Sequence, residues 1–129
     1  MIEILSFHHV ALSVTDLARA KRFYSDVLGL RELPRPTFDV DGVWYQLGDA
    51  QLHLIVYPPT RTLRGTHDID LCDGHVALRV TSYGDTVAHL QAHGIPFLER
   101  AANPTTWQQL YVTDPDGNIV EFTVDRGTP

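Results

Sequence analysis

His9-Val10-Ala11-Leu12-Ser13-Val14 returns as His75-Val76-Ala77-Leu78-Arg79-Val80, five residues of six identical at an offset of 66. Both stretches alternate apolar and other residues with period two, the pattern of a β-strand with one buried face. A repeat at this spacing means that one supersecondary unit is present twice. The echo continues downstream. Gly29-Leu30 and Leu33 answer Gly94-Ile95 and Leu98, and Trp44-Tyr45-Gln46-Leu47 answers Trp107-Gln108-Gln109-Leu110. Leu52-His53-Leu54-Ile55-Val56 answers Val120-Glu121-Phe122-Thr123-Val124.

Each copy changes period in the same order. From Asp16 the spacing lengthens, and Leu17, Ala20, Phe23, Tyr24, Val27 and Leu28 share one face of a predicted helix. Thr15 or Asp16 caps its start and Gly29 its end. A shorter helix begins near Ser82, with Tyr83, Val87 and Leu90 on one face and Gly94 as its stop. Strand-like runs follow near 31–33, 42–47 and 51–57 in the first copy, and near 96–99, 106–112 and 118–124 in the second. Asp114-Pro115-Asp116-Gly117 is a strong turn signal, and Gly48-Asp49 plays that part in the first copy. Each module therefore reads βαβββ, an α+β pattern. The boundaries fall at about 5–57 for module one, 58–73 for a connector and 74–125 for module two, within one domain. A lone module leaves one sheet face bare, so two modules are expected to pair, within or between chains.

Composition narrows the classes of function. Ten Lys and Arg against 16 Asp and Glu give a net charge of −6 over 129 residues, which repels a phosphate backbone and argues against nucleic acid as a partner. The single cysteine, Cys72, closes no disulfide within the chain. Met1-Ile2-Glu3 lacks the basic and apolar regions of a signal peptide, and no stretch approaches the ~20 apolar residues of a membrane span. No membrane partner is expected, and the cytoplasm is the expected compartment.

Alternation sorts the first and last strand of each module into two faces. One face is uniformly apolar: Val10, Leu12, Val14; Leu52, Leu54, Val56; Val76, Leu78, Val80; Val120, Phe122, Val124. The opposite face carries His9, His53, His75 and Glu121, one metal-ligand type per strand. His9 matches His75 under the repeat, and His53 matches Glu121. Two readings are open at this point: a metal site shared by the modules, or the wet side of an antiparallel sheet.

The motifs resemble those of a known family. Phe7-His8-His9-Val10-Ala11-Leu12, Phe23-Tyr24 followed by Val27-Leu28-Gly29-Leu30, Gly74-His75-Val76-Ala77-Leu78, and Asp114-Pro115-Asp116-Gly117-Asn118 leading to Glu121 are similar to the vicinal oxygen chelate superfamily. This is the glyoxalase, bleomycin resistance protein and dioxygenase group. The resemblance implies an eight-stranded open barrel of paired βαβββ modules around a divalent metal, commonly in homodimers. It also implies a ligand set of His9, His53, His75 and Glu121. Fe, Mn, Ni, Co or an expanded Zn site would accept such ligands and keep positions open.

Open positions define the expected chemistry. Members of the superfamily chelate two adjacent oxygens of a substrate, so the metal acts as a Lewis acid toward a developing oxyanion. A lyase, isomerase or transferase acting on a small molecule with adjacent oxygens is the leading expectation. Glu121 is the candidate catalytic acid/base and His53 the candidate opposite base. The residue at 53 departs from glyoxalase I, which usually has Glu there. His9, His75 and Glu121 alone resemble the triad of extradiol dioxygenases, so an Fe(II) dioxygenase is the second expectation. A non-enzymatic drug-binding or resistance protein is the third, although such members often lack the ligands.

Ser13, Arg79 and Thr123 share the ligand face. If strand phase persists, Trp44, Gln46, Trp107, Gln109 and Tyr111 join it and wall a site for a small carbonyl or aromatic compound. Ordinary core packing is the competing reading for the tryptophans. Arg31, Arg35, Arg61 and Arg64 fall in loops, where solvated surface is the default over a contact to an acidic substrate group. His8 is expected on the helix side. His89 and His93 read as an exposed helix face, and His67 with Asp68, Asp70 and Asp73 as a hydrated connector. Cys72 reads as a small buried side chain.

Overall fold

A computed structural model describes residues 1–100 and 103–126. The chain divides into two compact units, Met1–Leu63 and Arg64–Pro129, with the division inside the connector. In the first unit β1 (His9–Val14), α1 (Leu17–Lys21), β2 (Glu32–Leu33), β3 (Gly42–Leu47) and β4 (Ala50–Val56) follow in order. In the second come β5 (His75–Arg79), α2 (Tyr83–Ala92), β6 (Leu98–Arg100), β7 (Trp107–Thr113) and β8 (Ile119–Asp125). Each unit is thus βαβββ. The sheets have the orders β1-β4-β3-β2 and β5-β8-β7-β6. The first strand of each unit pairs in parallel with the last, and the remaining pairs are antiparallel.

These elements form where local chemistry favours them. The Asp16 side chain accepts a hydrogen bond from the Arg19 amide at 2.9 Å and caps α1. Ser82 does the same for the Asp85 amide at 3.1 Å and caps α2. Gly29 and Gly94 end the helical segments at positive φ, 71° and 64°. The first helix differs from the regular α-helix that its spacing predicts. After Lys21 it widens into a π-helical turn, Arg22–Val27, closed by the Leu28 amide on the Phe23 carbonyl. Within that turn the consecutive residues Phe23 and Tyr24 are both buried, their rings 4.9 Å apart edge to face.

The apolar sheet faces supply the cores. Val43, Tyr45, Leu52 and Leu54 are buried in the first unit, and Leu110, Val112, Val120, Phe122 and Val124 in the second. On the interior strands burial is complete for Leu52 and Leu54 of β4 and for Val120, Phe122 and Val124 of β8, while Val56 at the end of β4 is half-buried. On the edge strands β1 and β5 burial is partial, and Val10, Leu12, Val76 and Leu78 remain half-exposed. Among the described residues no helix is long and apolar enough to cross a membrane.

The connector is more ordered than its composition suggests. Arg64, expected as solvated surface, is nearly covered: Nε donates to Asp73 Oδ2 at 2.7 Å and Nη1 to the Gly117 carbonyl at 2.8 Å, while Nη2 bonds the Asp68 carbonyl. The expected turn at Asp114 forms. Its Oδ1 accepts the amides of Asp116 and Asn118, each at 2.9 Å, and Oδ2 accepts the Asn118 side chain at 2.8 Å. Cys72, expected inside, is exposed, because its amide is tied to Asp70 in a surface turn.

Candidate metal centre

Strand pairing aligns the two halves residue by residue. In the first unit Ala11 on β1 lies opposite His53 on β4, which lies opposite Trp44 on β3. In the second, Ala77 on β5 lies opposite Glu121 on β8, which lies opposite Tyr111 on β7. His53 and Glu121 therefore hold equivalent interior positions, and His9 and His75 begin the adjacent edge strands. The same register corrects the sequence alignment of the middle strands. The counterpart of Trp44 is Tyr111, not Trp107, because the β7–β8 turn is longer than the β3–β4 turn. Trp44 and Gln46 nevertheless keep the phase of His53, and Trp107, Gln109 and Tyr111 keep that of Glu121.

In the first unit His53 is 8% exposed and its ring stacks on two neighbours. The His9 ring lies 4.0 Å away at an interplanar angle of 18°, and the Trp44 ring 4.3 Å away at 9°. His53 Nε2 sits 2.7 Å from Gln51 Oε1; with the amide oxygen as acceptor, Nε2 carries the hydrogen and Nδ1 keeps the lone pair. Burial first, then the charges of His9, His8 and Arg35, hold the His53 pKa below its usual 6.5. The neutral ring is the form a metal accepts. His8, expected on the helix side, precedes β1 and is exposed, with Nδ1 2.7 Å from His9 Nδ1.

In the second unit Glu121 is 4% exposed. Its Oε1 accepts from Gln109 Nε2 at 3.2 Å, and its carboxylate is also hydrogen-bonded by the Tyr111 hydroxyl. Burial first, then the bond to Glu121 and its charge, push the Tyr111 pKa up to about 12, so the hydroxyl stays protonated and donates. His75 Nδ1 lies 2.9 Å from the Asp73 carbonyl, which can only accept, so Nδ1 carries the hydrogen. The remaining nitrogen, Nε2, lies 3.3 Å from Glu121 Oε1. A ring nitrogen and a carboxylate oxygen at that distance are bridged by a proton or by a cation. This is the observation on which the residues fit a metal: neutral imidazole and carboxylate are the donor types of a divalent first-row ion. Among the described residues, no group of three or more His, Cys, Asp or Glu is placed to hold an ion.

The expected substrate residues separate into distinct roles. Gln46 spends its amide on the carbonyls of Gly48 and Ala50, bracing the β3–β4 turn. Ser13 accepts from the Thr62 hydroxyl at 3.4 Å. Arg79 is exposed, 3.7 Å from Asp125. Trp107 is 36% exposed. Arg35 was expected on the surface, yet its guanidinium fills the space above Gly42: a Cβ there would meet Nη2 at 2.9 Å and the Leu54 carbonyl at 2.3 Å. Nη2 donates to the Val40 carbonyl at 2.9 Å, and the cation lies 4.8 Å from the Phe38 ring centre. Only the missing side chain of Gly42, two residues before Trp44, signals this in sequence.

The sequence profile of the Glyoxalase/Bleomycin resistance protein/Dioxygenase superfamily matches residues 6–122. The chain belongs to that superfamily. The uncharacterised protein YaeR of Escherichia coli (strain K12) is 28% identical over 95% of this chain and 98% of its own length. A lactoylglutathione lyase of Haemophilus influenzae is 28% identical over 93% of each. The crystal structure of a glyoxalase family protein from Bacillus anthracis matches with a TM-score of 0.82 at 24% identity, covering 98% of this chain and 99% of that one, which shows the glyoxalase-like fold. Superfamily membership accounts for the two successive βαβββ modules and for the equivalent positions of His53 and Glu121. It includes enzymes of several reaction types and leaves the reaction of this member to the chemistry of its own residues.

Proposed function

We propose that this superfamily member is a metal-dependent enzyme acting on a small molecule with adjacent oxygens, as a lyase, isomerase or transferase. His9, His53, His75 and Glu121 are the proposed ligands, and the bound divalent cation would supply Lewis acidity toward the substrate oxygens. The single observation carrying this reading is the approach of His75 Nε2 to Glu121 Oε1, 3.3 Å apart. Around it the chain's own groups are arranged for proton handling. The Glu121 carboxylate takes the substrate proton while Tyr111 and Gln109 fix its orientation. His53, buried and held neutral, is the opposite base. The exposed apolar residues Ile2, Ile4, Leu5 and Phe7 support a homodimer, which sedimentation checks.

A second reading is an Fe(II) dioxygenase, in which His9, His75 and Glu121 form a two-histidine, one-carboxylate triad and His53, buried and hydrogen-bonded to Gln51, stays outside it as the base. Elemental analysis of protein purified without an affinity tag tests both. Stoichiometric nickel, zinc, manganese or cobalt supports the first, and iron with oxygen uptake on catechols supports the second. Protein that takes up none of these metals from solution would refute both and favour a metal-free binding protein.

A further inference from the structure

The sheet of the second unit carries a cavity of about 310 Å³ lined by Ala77, Arg79, Trp107, Glu121 and Thr123. Strand pairing sets these residues in rows. Ala77 lies opposite Glu121; the next row places Arg79 opposite Thr123; Trp107 stands one row further, opposite Asp125. The small side chains of Ala77 and Thr123 make a floor, and the partly exposed Trp107 indole makes a wall. Glu121 and Arg79 hold diagonal positions on paired strands, one row apart, where backbone positions are separated by roughly 7–8 Å. The volume lies at the lower end of the range for small-molecule sites, roughly 300 Å³ and upward.

The guanidinium is open to a ligand. Arg79 lies 3.7 Å from Asp125, and both side chains are mostly exposed, so solvent screens this ion pair and it contributes little. Duplication does not account for the charge: the positions of the first unit equivalent to Arg79, Thr123 and Gln109 are Ser13, Ile55 and Gly42, none of them charged.

We infer that this groove takes a small organic anion whose carboxylate pairs with Arg79 while its adjacent oxygens lie at the Glu121 end. The position of the oxygens rests on the function proposed above; the carboxylate site rests on the groove. The carboxylate and its adjacent oxygens would then be separated by about the length of one six-membered ring, with the substrate body over Ala77 and Thr123 and against Trp107.

A matched pair of probes reads the two parts separately. Catechol and 3,4-dihydroxybenzoate present the same adjacent oxygens and differ by one carboxylate. Zinc, which has no redox chemistry, serves as the metal. Calorimetric titration of zinc-loaded protein is expected to show the carboxylate probe binding about tenfold tighter than catechol. In R79Q that preference falls below about threefold with catechol affinity unchanged, whereas R22Q, an exposed arginine outside the groove, retains it. Equal binding of the two probes by wild type, or a preference that survives in R79Q, overturns the inference. Loss of catechol binding on chelation of the zinc reads the metal proposal, and its absence counts against that proposal without touching the carboxylate comparison.

Discussion

The indole of Trp44 lies flat on the imidazole of His53, centroids 4.3 Å apart and planes 9° apart, on directly paired positions of β3 and β4. With His9 stacked at 4.0 Å, the His53 ring is held between residues of both neighbouring strands. Support of this kind orients a ligand, and its removal lowers metal affinity about tenfold or more. Trp44→Leu is expected to weaken zinc binding about tenfold in competition with a chromophoric chelator. Affinity equal to wild type would show that the stack plays no part in holding the metal.

Tyr83 and Tyr111 are pushed up to about 12, in both cases by burial first and then by a hydrogen bond to a carboxylate, Glu99 and Glu121 respectively. The folded protein therefore keeps these protons above the ordinary value of 10.0. Between about 10 and about 12 the unfolded chain binds fewer protons, so stability falls as pH rises through that window. Urea midpoints at pH 9 and pH 11 are expected to separate more for wild type than for Tyr83→Phe. Equal separations would mean that the hydroxyl titrates normally.

Arg64 ties the connector to the second unit through Asp73 and backbone carbonyls. Its guanidinium holds the Asp73 carboxyl below the usual carboxylate range, chiefly through the hydrogen bond between them. A depressed folded pKa gives stability that is present above the unfolded value and lost as pH falls through the folded one. Asp73→Asn should therefore destabilise at pH 7, and the difference from wild type should vanish as pH drops below the ordinary carboxylate range. A difference that persists undiminished in acid would assign the effect to packing.

Gly117 adopts φ +88°, and a Cβ at that position would meet the Thr66 carbonyl oxygen at 2.2 Å. Both the backbone conformation and the close approach exclude a side chain. Gly117→Ala is expected to destabilise by about 3 kcal/mol in denaturant unfolding. A loss below about 1 kcal/mol would mean that the connector shifts to make room.

The candidate ligands were legible because a strand's alternation is a property of its backbone. Once His9, His53, His75 and Glu121 were seen to share a phase across two copies of one pattern, no packing detail was needed to place them on one kind of face. Helix ends were legible for the same local reason, through Asp16, Ser82, Gly29 and Gly94. The widening of the first helix was not, since apolar residues at spacings of three and four fit a regular helix equally well. The partnership of Tyr111 with Glu121 was obscured by aligning Trp44 with Trp107. Identical residue types suggested one offset, while the hydrogen-bonded register, set by turn length, selected another.

From the amino-acid order alone came the duplication, the βαβββ plan and the division of each outer strand into an apolar face and a face bearing metal-ligand types, because all three follow from short-range periodicity. Only the tertiary structure decided that Arg35 lies over Gly42, that Arg64 clamps the connector, that Cys72 faces solvent and that Gln46 braces a turn rather than a ligand. Each of these depends on which distant carbonyl, ring or carboxylate a long side chain can reach. That reach is set by how strands are packed and registered, which residue spacing along the chain does not encode.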